Sequence, residues 1–166
     1  MRCLLFVSLC ALLSFTARAQ DEGDSSPSVQ GEWAVTSMRL FGGQIPEEQA
    51  KQLKLVFTKD KIAITPGFAV RTEERGPILG KRERSVSLVV GGKPMEDFYA
   101  ADLGKKPGTF DFLDAKGKPG AKGIIEIKAD TIRLFVDAEG RPKSFDSEGS
   151  KKALYFEVMR IPAKKK

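Results

Sequence analysis

The chain has 166 residues, 28 Lys and Arg against 22 Asp and Glu, a formal net charge of +6, and no histidine. That length supports one domain with a core of its own. The missing imidazole excludes Ser-His-Asp and Cys-His catalysis, and the interleaving of acids with bases argues against a nucleic-acid face.

The chain opens with Met1-Arg2, a short apolar run from Cys3 to Phe15, and Ala17-Arg18-Ala19. This is the pattern of an export signal, residues 1–19, with cleavage expected near Ala19. The run is too short to span a bilayer, and no later stretch is long enough, so no membrane span is expected after signal removal. Cys10 lies within the apolar run behind the bulky Leu9 and does not fit a lipidation site. Cys3 and Cys10 leave with the signal. The mature chain then has no Cys, His or Asn. Disulfides, Cys/His metal sites and N-glycosylation are excluded with them.

Residues 20–30 are acidic, contain Ser and Pro, and read as a disordered linker. A folded domain is expected over 31–162. Its first strand covers Glu32 to Phe41 and contains the only tryptophan, Trp33. Trp33 and Val35 share one phase, Met38 and Leu40 the other, so a bulge is expected near Thr36-Ser37. Pro46-Glu47-Glu48 opens a short helix ending near Leu53, with acids at its positive end. Leu53, Leu55 and Phe57 alternate, Thr58-Lys59-Asp60-Lys61 turns, and Ile62 and Ile64 return. Phe68 to Arg71 continues as a strand. The charged, Gly/Pro-broken stretch Glu73 to Arg84 reads as a long hairpin loop, and Ser85 to Val90 as the strand after it.

Further strands are expected at Asp97 to Leu103, Thr109 to Leu113, Gly123 to Lys128 and Thr131 to Val136. Asp137 to Gly149 reads as loop, with a short extended piece around Phe145. Ala153 to Ile161 is the last strand, followed by a basic tail, 163–166. Eight to ten short strands and one short helix make an all-β, antiparallel barrel.

Gly31-Glu32-Trp33 on the first strand and Arg160 on the last resemble the signature of a lipocalin-type barrel. Arg160 shares a phase with Leu154, Phe156 and Val158. On that apolar face it either stacks over Trp33, as a barrel-closing structural pair, or ends the strand pointing into water. Ile45-Pro46, Leu53 to Phe57, Asp102 with Lys106-Pro107, Gly123 to Ile127, Asp130 to Ile132, Arg141-Pro142 with Phe145, and Arg160 together resemble a small exported domain expanded in planctomycetes. That family belongs with lipocalin-like barrels. The resemblance implies a barrel and export, and names no ligand.

Candidate chemistry is sparse. Gly76 to Arg82 is one residue short of a phosphate loop, with Arg in place of Ser/Thr. Asp137 to Gly140 and Asp146 to Gly149 lack the spacing of a calcium loop. Asp102, Glu126 and Glu157 could serve as paired carboxylates only if two converged across a cleft, and each alternates with apolar neighbours, facing outward. No catalytic residue, metal or cofactor is therefore expected. The inward set includes Phe57, Ile64, Val70, Leu88, Phe112, Ile127, Leu134 and Phe156. These either line a cavity for a small apolar ligand or fill the interior of a structural domain that contacts an envelope partner. In either case the expectation is a periplasmic or secreted monomer with no nucleic acid and no enzymatic activity.

Overall fold

The structure is a computed structural model. It describes residues 28–78, 81–146 and 151–162, with the backbone alone at 72–78 and 81–85. Residues 1–19, read as an export signal, most of the expected linker and the basic tail lie outside the described residues.

Eleven strands and one helix follow in chain order: β1 Gly31–Leu40, β2 Gly43–Gln44, α1 Glu47–Ala50, β3 Lys54–Phe57, β4 Lys61–Thr65, β5 Phe68–Ile78, β6 Lys81–Val90, β7 Met95–Asp102, β8 Gly108–Leu113, β9 Pro119–Lys128, β10 Thr131–Asp137 and β11 Ala153–Arg160. The pairing runs β11-β10-β9-β8-β7-β4-β3-β1 and closes by β11 on β1. The fold is thus a closed eight-stranded antiparallel barrel of the lipocalin-like kind. Closure leaves no sheet edge among those eight strands, which is how such folds avoid strand-to-strand aggregation.

The bulge lies where the phase of the apolar residues slips. The β1–β11 register shifts between Val35 and Ser37, and the Thr36 hydroxyl donates to the Glu157 carbonyl at 2.9 Å. The extra residue lets Trp33, Val35, Met38 and Leu40 all face inward, and all four are buried. The Thr58–Lys61 hairpin turn is present, with the Thr58 amide donating to the Lys61 carbonyl at 2.8 Å.

Two expectations are corrected. First, Glu73 to Arg84 is not a loop. β5 and β6 stay paired from Phe68↔Val90 out to Ile78↔Lys81, as a two-stranded ribbon separate from the barrel. The register sets Glu74 opposite Arg84 and Arg75 opposite Glu83. The backbone pairing continues through a stretch with no apolar alternation to signal it. The residues resembling a phosphate loop therefore sit on the arms of this ribbon, and 79–80 lie outside the described residues.

Second, the linker does not reach Gln30. Residues 28–30 are described, Val29 is buried, and the carbonyls of Ser28, Val29 and Gln30 accept hydrogen bonds from barrel side chains. The 138–146 segment is a loop, as expected, though without an extended piece around Phe145, and it is anchored to the barrel. Phe145 packs with Ile124, Phe135, Ala153 and Tyr155 in a second apolar cluster on the outer face of the barrel. Arg133 and Arg39 cover it, with guanidinium carbons 4.4 Å from the Phe145 ring centre and 4.3 Å from that of Tyr155. Arg141 straps the segment down through bonds to Asp111 and to the Gly123 carbonyl.

Helix α1 is a single turn beside β1. The Gln49 side-chain oxygen accepts from the Leu88 amide at 2.9 Å, tying the helix to the ribbon. Pro46 stands at its N-cap rather than its first turn, and its carbonyl accepts from the amides of Gln49 and Ala50.

Candidate functional site

Strand direction gives the barrel two unlike ends. At one end lie the start of β1, the end of β3 and the end of β11: Trp33 pairs with Leu55 and with Arg160. Trp33 is fully buried, and its indole N–H donates to the Val29 carbonyl at 2.8 Å. The Arg160 guanidinium carbon lies 4.2 Å from the ring centre. Its two terminal nitrogens donate to the carbonyls of Gln30 (3.2 Å) and Ser28 (3.0 Å), and Nε stands 3.7 Å from Asp130. The guanidinium therefore stacks on the indole and holds 28–30 across this end. Gly31 permits the approach: its φ is +126°, and a Cβ there would lie 3.3 Å from Arg160 Nη1. Few side chains tolerate that backbone.

Above this end the barrel is filled. Phe57, Tyr99 and Phe110 form an aromatic cluster, Tyr99 stacked on Phe110 at 5.2 Å and Phe57 edge-on to both. The Tyr99 hydroxyl donates to the Thr58 carbonyl at 2.8 Å. Burial and the nearby Asp60 raise the Tyr99 phenol above its ordinary pKa.

The other end is open. A cavity of about 600 Å³ lies where β1, β4, β7, β8 and β11 meet the base of the β5–β6 ribbon. Its wall carries Leu40, Ile64, Phe68, Val70, Phe112 and Phe156, and its rim carries Glu96, Asp97, Asp114 and Lys152. The volume falls within the usual range for small-molecule sites, and the apolar wall with a few polar groups is their usual make-up.

The eight expected lining residues divide by depth. Ile64, Val70, Phe112 and Phe156 are on the cavity wall. Phe57 and Leu134 are buried in the filled part, Leu88 is buried in the same core from the ribbon, and none of the three reaches the wall. Ile127 faces a hollow of about 240 Å³ beside Lys106, Pro107 and Lys128. Alternation along a strand tells inward from outward and says nothing of height within a barrel. Leu40, Phe41 and Phe68 were missed as lining residues. The ribbon's return over the mouth is a long-range feature that strand alternation does not encode.

The three carboxylates do not converge. Asp102 sits at an exposed turn with Lys105, and its Oδ1 accepts from the Gly104 amide. Glu126 and Glu157 flank Arg133 on the outer face of the barrel. Asp137 Oδ1 accepts from the Glu139 amide at 2.9 Å, which is turn chemistry. Among the described residues no three His, Cys, Asp or Glu side chains are grouped to hold a metal ion, and no helix is long and apolar enough to cross a membrane. Compared with family models, curated proteins and solved structures, the sequence gives no significant match.

Proposed function

We propose that this chain is an exported, non-enzymatic lipocalin-like module that carries a small apolar ligand in the open-end cavity. One observation carries the reading. A barrel sealed by Trp33 and Arg160 at one end keeps about 600 Å³ of apolar-walled space at the other. Burying an apolar chain there is favourable by about 25 cal/mol per Å² of surface removed from water. Export is supported by the signal pattern of residues 1–19 and by the resemblance to the small exported planctomycete domain. Native mass spectrometry of protein purified from its own host tests the proposal. A co-purifying small molecule, released on unfolding, is the expected result. Protein that emerges empty, and that binds no straight-chain alcohol in titration, would overturn it.

A second reading is a structural or interaction domain of the cell envelope. The solid aromatic packing of Phe57, Tyr99 and Phe110 favours it, because that part of the interior is already filled. The two differ at the open end alone, so the titration decides between them.

A further inference from the structure

The rim of the cavity bears on what kind of head group its ligand has. β7 and β8 pair in the register Phe98↔Leu113 and Tyr99↔Phe112. Asp97 and Asp114 are the next residues beyond the last paired position, Phe98↔Leu113. Both are in phase with the inward Tyr99 and Phe112, and both border the cavity.

The other rim charges are engaged elsewhere. Lys61 takes Glu96 at 3.7 Å, and Lys152 stands 3.9 Å from Glu139. Asp97 Oδ1 accepts from the Phe98 amide. Asp114 Oδ1 accepts from the amides of Lys116 and Lys118. Neither carboxylate forms an ion pair among the described residues. An acidic lip on an apolar cavity, in a chain of formal charge +6, repels a fatty carboxylate and attracts a cation.

We propose that the cavity selects a cationic amphiphile: an alkyl chain against Ile64, Phe112 and Phe156, and an ammonium head between Asp97 and Asp114. This rests on the carrier reading above and goes further, to the ligand's class. The head contributes through charge at the wet rim, where each exposed carboxylate is worth little singly and the two together more.

The test is calorimetric titration at neutral pH and low salt with three probes of equal chain length: decyltrimethylammonium, 1-decanol and decanoate. Decyltrimethylammonium is expected to bind about tenfold more tightly than decanoate, with decanol between them, and salt should compress the difference. The D97N/D114N double variant should bring all three within about twofold of one another. The Asn side chains keep the oxygens that accept the turn amides, and an unchanged circular dichroism spectrum checks the fold. Decanol binding with no preference for ammonium, or a preference that survives in D97N/D114N, overturns this inference and leaves the carrier reading standing. Failure of all three probes to bind overturns both.

Discussion

Replacing Arg160 with Met keeps an unbranched apolar stem over the indole and removes the charge. Three interactions go with it. The stack on Trp33, at 4.2 Å, is worth about 1 kcal/mol at a half-buried site. The bonds to the Ser28 and Gln30 carbonyls are worth about 1 kcal/mol each, less what residues 28–30 regain in backbone freedom. The contact with Asp130, at 3.7 Å and with that carboxylate 78% exposed, adds close to nothing. The net expectation is a loss of about 2 kcal/mol. With a urea slope of roughly 1–3 kcal/mol/M, the midpoint should fall by about 0.7–2 M at an unchanged slope. Trp33 is the only tryptophan, so its emission follows the transition with no added label. The native emission of R160M should also shift to the red as water reaches the ring. D130N serves as the control and should stay within about 0.5 kcal/mol of wild type. If R160M matches wild type in midpoint and emission, the guanidinium does not close this end, and the physical reason given for an arginine on an apolar face is wrong.

Three further outcomes follow from the same geometry. Gly31→Ala forces a side chain into a φ of +126° against Arg160, and should cost about 1–3 kcal/mol in urea unfolding; a neutral result would mean the backbone relaxes freely. Ala121→Phe projects a ring into the cavity from β9 and should weaken decanol binding at least about tenfold while stability changes by less than about 1.5 kcal/mol, so retained binding would place the ligand elsewhere. Tyr99 holds its proton more tightly when folded than when unfolded, so its contribution is full below about pH 10 and is lost as pH rises through the raised folded value. Tyr99→Phe should remove that alkaline loss, read as thermal midpoints between pH 9 and 11, and an unchanged alkaline slope would count against the desolvated phenol.

The legible parts of the fold were those encoded locally. Two phases of apolar residues within one strand announced the bulge at Thr36, because a strand buried on one face cannot otherwise present both Val35 and Met38 to the core. Arg160 stood out because its phase was apolar and its side chain was not. The illegible parts depended on height and on distant partners. Leu134 and Phe156 face each other across β10 and β11, yet one lies in the filled core and the other on the cavity wall. Phe145 read as part of a short extended piece in a polar segment, and only the closed barrel gives it Phe135 and Tyr155 to cover. The β5–β6 ribbon was misread because its outer half pairs through backbone over a sequence with no apolar period to count.

Photolabelling with a decyl probe carrying a diazirine at the chain end, mapped by peptide mass spectrometry, tests the carrier account most directly. Adducts should fall on residues of the open end, Ile64, Phe112 and Phe156 among them, and disappear when excess unlabelled decyltrimethylammonium competes. Adducts scattered over the surface, or confined to the end that Trp33 and Arg160 occupy, would contradict it.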